Sequence, residues 1–121
     1  MANNDAHRVL WCELQVGSLG IRAYLVDRNK FPELKNNVGF FSAEAGLILI
    51  GWDLNHDLAE NTLLHELGHA AVYAFGVKFS SSDSEEDTVN PLTSSMYDTL
   101  KRNGMLVFPP RPEIPTRRRK R

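Results

Sequence analysis

The stretch "TLLHELGHAAVYAFG", residues 62–76, constrains this chain more than any other. His65 and His69 stand four apart, with Glu66 directly after the first. On a helix of 3.6 residues per turn, positions i and i+4 lie about 40° apart around the axis and one turn apart along it. Two imidazoles so placed reach one ion from one face. Glu66 sits beside that face, where a carboxylate hydrogen-bonds a water on the ion instead of ligating the ion. The surrounding pattern is helical. Leu58, Thr62, His65, His69 and Val72 recur on one side, while Leu63, Leu67, Ala70, Ala71 and Ala74 supply apolar surface elsewhere. Asn55 or Asp57 can cap the start, and Gly76 stops the helix where glycine costs least. Leu67 is expected to pack inward and Gly68 to be too small to block the ion.

A hydrolytic zinc takes three protein ligands and keeps one position open for water, so a third ligand must come from elsewhere. Cys12 is the only cysteine, which excludes an internal disulfide and a cysteine-built site. His56 lies nine residues before His65, an awkward reach, and His7 lies near the N-terminus. Asp83, Glu85, Glu86 and Asp87 are better placed if a second helix packs across the first. "EDTVN", residues 86–90, separates the choices, because Glu86 and Asn90 at i and i+4 share a face. Glu86 is the expected ligand, with Glu85 as the alternative. Asn90 is expected to orient a ligating histidine through its other ring nitrogen. Two other readings compete. Asp83-x-x-Glu86 also resembles a capping box, and "Asn90-Pro91" also makes a good cap and first helical residue, leaving Glu86 in a loop. A helix running through Pro91 instead loses one backbone hydrogen bond and bends. A turn at 84–90 with a bent continuation satisfies both signals.

Upstream, "RVLWCELQV" and "IRAYLVD" read as strands joined through "GSLG", and "VGFF" and "LILIG" as a second hairpin around "SAEAG". "NKFPELKNN" reads as a loop or short helical turn. The second helix should end near Asn103 and Gly104, and "MLVF" is a candidate last packed segment. The expected fold class is α+β: a small antiparallel or mixed sheet of about three or four strands, packed on the motif helix and a following glutamate helix. With 121 residues, the expected organisation is one domain over 1–108 and a proline-rich, basic, disordered tail over 109–121. Charge divides along the same line. Residues 111–121 carry +5 and the first 110 carry −6, an acidic body with a basic tail.

With His-Glu-Leu-Gly-His at 65–69 and Glu-x-x-Val-Asn at 86–90, the chain resembles small zincins of the gluzincin type. It is most similar to the ImmA/IrrE-like metallopeptidases and to short zinc metallopeptidases of bacteriophage and prophage. The likeness spans roughly residues 16 to 104. "VGFFSAEAGLILIGWDLNHDLAENTLLHELGH" resembles that group's strand and loop leading into the motif helix, and "SSMYDTLKRNG" the end of its glutamate helix. The resemblance implies one zinc ion held by His65, His69 and Glu86, with Glu66 as general base. It departs from the pattern at Pro91 and in the short linker before Glu86. Tyr97, or Tyr73, is the candidate transition-state stabiliser, although each reads more readily as packing.

The expected function is hydrolysis of peptide bonds by a zinc-activated water, with Glu66 taking the proton. The rival is a zinc-binding regulatory or adaptor protein of phage or prophage type with little or no turnover. A peptide or protein substrate is expected along Leu47–Ile50, read as an edge strand, by β-addition. No apolar run approaches the length of a membrane span, and "MANNDAHRVLW" lacks a basic segment followed by an apolar one. A cytoplasmic monomer is therefore expected, in the host cytoplasm for a phage protein. The basic run at 117–121 lacks aromatic stacking residues, so at most a weak contact with nucleic acid is expected there.

Overall fold

A computed structural model of the chain describes residues 6–115. The first hairpin pairs β1 (Arg8–Val16) with β2 (Leu19–Val26) through a two-residue turn, where Gly17 takes the left-handed backbone at φ 59°. The register shifts between Leu10 and Cys12, and Trp11 at the shift is buried. Two 3-10 turns, Arg28–Lys30 and Pro32–Leu34, form the expected helical turns. They lead to β3 (Gly39–Ser42) and β4 (Leu47–Gly51). The four strands form one mixed sheet in the order β1-β2-β4-β3, with β2 and β4 parallel and the outer pairings antiparallel. Two helices follow, α1 (His56–Ala74) and α2 (Ser82–Arg102). The class is α+β.

Leu47–Ile50 is not an edge. It lies between β2 and β3, so the expectation of a substrate strand there is corrected. The physical reason is visible in the side chains. Ile48 and Ile50 are buried on the α1 side of the sheet, and Leu49 is buried on the other side among Val26 and Leu34. A strand covered on both faces reads as a continuous apolar run, whereas a half-exposed edge alternates. The edge on this side of the sheet is β3.

Ala59, Leu63 and Ala70 of α1 pack onto Trp11, Ile21, Ala23, Leu25, Ile48 and Ile50. Each large side chain fully buried there, such as Leu63 or Ile50, contributes about 1.5–3 kcal/mol. Asn55 caps α1, its side chain accepting from the Leu58 amide at 2.8 Å, and Gly76 follows its end at φ 70°. α2 begins at the Ser81 cap and runs unbroken through Pro91. Glu86 is therefore helical and not in a loop. Pro91 is exposed, as is Asp87, whose carbonyl loses its helical partner to the missing proline N–H and is left to solvent.

The tail expectation is corrected for residues 109–115. Trp11 Nε1 donates to the Pro109 carbonyl at 2.9 Å, and Arg111 donates to the Leu54 carbonyl at 3.0 Å. Ile114 is buried in the main core, and Phe108 packs against it. Prolines pre-set an extended chain at low entropic cost, so a short segment can be held by one apolar anchor and two hydrogen bonds. Of "MLVF", Met105 and Val107 are exposed. The basic run 117–121 lies outside the described residues. No helix among the described residues is long and apolar enough to cross a membrane.

Candidate metal centre

Helical spacing places His65 and His69 one turn apart on the open side of α1. Their ring centroids lie 4.8 Å apart, and their Nε2 atoms face each other at 3.2 Å. α2 then brings Glu86 across both. Its Oε1 lies 2.9 Å from His69 Nε2 and its Oε2 lies 3.1 Å from His65 Nε2. One ligand atom from each of the three residues falls within 4.8 Å of the other two. Donors about 2.0–2.1 Å from a tetrahedral ion stand about 3.3 Å apart, so this donor set fits a zinc-sized cation with little rearrangement.

Gly68 permits the approach of α2. A Cβ there would meet Thr93 Cγ2 at 2.8 Å and Val89 Cγ1 at 2.9 Å. The expectation that Gly68 merely leaves room for the ion is thus replaced by a packing role, which sets how close Glu86 comes.

Behind His69 stands Glu85, not Asn90. His69 Nδ1 lies 2.6 Å from Glu85 Oε2, and because a carboxylate only accepts, Nδ1 carries the proton. A cation seated between His69 Nε2, His65 and Glu86 would be backed by that Nδ1–H bond to Glu85, the arrangement ligating histidines ordinarily receive. Asn90 is exposed and lines the neighbouring cleft with Asn61 and Ser94, and no hydrogen bond joins it to either imidazole. One helical step separates Glu85 from Glu86, so the two acids project about 100° apart and take different duties.

Glu66 is 8% exposed. It lies beneath β3, where Gly39 supplies the space: a Cβ would fall 2.5 Å from Thr62 Cγ2 and 2.9 Å from Glu66 Oε2. Burial pushes the Glu66 carboxyl up to about 7, with the Glu86 charge adding and His69 opposing. Burial pulls the His69 pKa down, but Glu85, Glu66 and Glu86 outweigh it and the net shift is upward. His65 shifts downward, chiefly by burial, against the pull of Glu86.

A cleft of about 400 Å³ opens onto this group, lined by Gly39, Phe40 and Phe41 together with His65, Glu66, His69, Glu85 and Glu86. Its upper wall is the free edge of β3. Val38 accepts from Gly51 and Ser42 from Gly46, so by alternation the N–H and C=O groups of Gly39 and Phe41 point away from β4. A larger hollow of about 630 Å³ beside Trp52 is lined by the Arg28–Asp53 ion pair and no histidine.

Tyr97 does not reach this centre. Its hydroxyl donates to Glu60 Oε1 at 2.9 Å, and it lines none of the clefts around the histidines. Burial and the Glu60 and Asp57 carboxylates raise its pKa. Glu60, 3% exposed, also takes Lys101 Nζ at 3.1 Å and His56 Nε2 at 3.0 Å. His56 is thereby accounted for, and His7 is outside the metal group, its carbonyl accepting from the Asp27 amide. Tyr73 is 61% exposed and stands edge-on to Phe41 with centroids 6.4 Å apart. The roles of Glu60, Lys101, Gly39 and Phe41 escaped the sequence reading. A glycine directly before two phenylalanines was the one available signal.

Comparison with known protein families, with characterised proteins and with solved structures finds no match for this chain.

Proposed function

We propose that the protein is a zinc-dependent metallopeptidase of the small zincin type. The observation that carries the reading is the convergence of His65 Nε2, His69 Nε2 and the Glu86 carboxylate at 2.9–3.2 Å, with buried Glu66 alongside and a cleft open above. His65, His69 and Glu86 would hold the ion, and Glu85 would keep His69 in the ligating tautomer. Bound zinc supplies Lewis acidity, polarising a carbonyl and lowering the pKa of water toward neutrality.

The chain's own groups supply the rest. Glu66 accepts a proton from the attacking water and returns it to the leaving amine, and a carboxyl poised near neutrality suits both transfers. Gly39 and Phe41 offer outward backbone groups that can pair with an extended peptide. That pairing grips main chain, which favours peptides over other hydrolysable substrates. Glu66→Gln tests the assignment. Zinc content should stay at one ion per chain while cleavage of a peptide mixture falls by about 10²–10⁴. Undiminished cleavage by this variant would remove Glu66 from the chemistry.

A second reading follows from Tyr97. With that hydroxyl committed to Glu60, no side chain is assigned to stabilise the oxyanion, which favours a zinc-bound regulatory protein with little turnover. Stoichiometric zinc with no cleavage by the wild type would select it.

A further inference from the structure

We infer that the aromatic cleft beyond His69 is the subsite for a large apolar side chain on the N-terminal side of the scissile bond, a specificity that rests on the peptidase reading. The cleft holds about 540 Å³ and is walled by Phe41, Val72, Tyr73, Val77 and Phe79. It shares His69 and Glu85 with the metal centre, so the two form one continuous trough. Tyr73 and Val77 are 61% and 52% exposed, apolar side chains standing in solvent at the mouth of a reactive site. The Phe41 and Tyr73 rings meet edge-on at 64°, an arrangement that leaves ring surface free for a third apolar group.

Strand direction decides which side of the substrate enters. β3 runs from Gly39, beside Glu66, to Phe41, beside Tyr73. The more stable mode of strand addition is antiparallel. A peptide added that way passes its C-terminal half over Gly39 and its N-terminal half over Phe41. The residue preceding the cut, or the one before it, then lies over the aromatic cleft. On the opposite side of Glu66 a smaller cleft of about 270 Å³ is lined by Asn37, Asn61, Thr62, Asn90 and Ser94 together with Val38 and Leu58. It has no aromatic wall, so selection for a large apolar side chain falls on the Phe41 and Tyr73 side.

The test is digestion of a proteome-derived peptide mixture by the zinc-loaded full chain, with cut sites read by mass spectrometry. Phe, Tyr, Leu and Met should be enriched at one of the two residues before the cut and not after it. For a matched pair of peptides carrying Phe or Ala at that position, kcat/KM should differ by about tenfold to a hundredfold. Tyr73→Ala and Val77→Asp, both at exposed positions, should bring that ratio toward one with zinc content unchanged. Tyr73→Phe, which keeps the ring, should preserve the ratio. Cleavage without enrichment, enrichment after the cut, or an unaltered ratio in both variants would overturn the subsite alone. Absence of any cleavage by the fully zinc-loaded wild type would overturn the peptidase reading and the subsite with it.

Discussion

Two polar clusters join α1 to α2, a turn or two apart along α1, and both include glutamate and histidine. Around Glu60 the donors outnumber the acceptors. The Tyr97 hydroxyl, the Lys101 ammonium and the His56 imidazole all converge on one carboxylate whose side chain is 4% exposed. Around His69 the balance is reversed. Glu85 and Glu86 both face its ring nitrogens, His65 turns a third nitrogen toward it, and Glu66 lies beside them with its carboxyl buried. A buried carboxylate surrounded by its own donors is satisfied, and it works as a fastening. Imidazoles and carboxylates that converge as His65, His69 and Glu86 do could hold a metal ion. Glutamate and histidine occur in both clusters, and the added Tyr97 and Lys101 donors separate them.

The largest effect should fall on metal content. Glu86→Ala removes a proposed ligand and should take zinc from one per chain to near zero, measured by mass spectrometry of the dialysed protein. Glu85→Ala should keep the ion and weaken affinity about 10- to 100-fold, the usual cost of losing the group behind a ligating histidine. Full occupancy in Glu86→Ala would sink the ligand assignment. Chelation adds a stability readout. At free zinc a hundredfold above its dissociation constant, the ion should stabilise the wild type by about 2.7 kcal/mol. EDTA should remove that increment from the wild type and from Glu60 variants alike, but not from Glu86→Ala.

Gly68→Ala acts on both clusters at once, because its methyl would press on Val89 and Thr93 where the helices touch. Overpacking of this kind costs about 1–3 kcal/mol, and by displacing α2 it should also weaken zinc binding about tenfold. A variant as stable as wild type with unchanged affinity would show that helix proximity is not what sets the site. Glu60→Gln should cost about 1–3 kcal/mol in urea unfolding while zinc content stays at one. The smallest effect belongs to Tyr97→Phe, about 1 kcal/mol for one lost hydrogen bond, with peptide cleavage within twofold of wild type. A hundredfold drop in cleavage for that variant would return Tyr97 to the reaction and break the contrast between the clusters.

Much of this arrangement is legible from local rules. The i and i+4 histidines, the Asn55 cap, the glycine stop and the strand runs depend on backbone geometry within a few residues. The failures cluster where distant segments meet. "LILI" was read as an edge, although its unbroken apolar character belongs to a strand covered on both faces. Asn90 was chosen by its spacing from Glu86, but spacing along α2 carries no information about the rotation of α2 against α1. Tyr97 was a candidate stabiliser, beside a packing role, because its partner Glu60 lies 37 residues away. Residues 109–115 looked like a disordered linker because neither Trp11 nor Leu54 is near them in the chain.

By itself, then, the sequence determined a helix bearing His65, Glu66 and His69 on adjacent lines. It also narrowed the completing acid to Glu86, with Glu85 as the alternative. Both follow from a periodicity that a polypeptide cannot evade once it is helical. The place of Glu85 behind His69 was decided only when α2 packed against Gly68, since a rotation of one residue exchanges it with Glu86. The edge at β3, the closed cluster at Glu60 and the anchored proline segment were likewise decided in three dimensions. Each depends on which surfaces compete for burial, and that competition is settled by the whole chain at once.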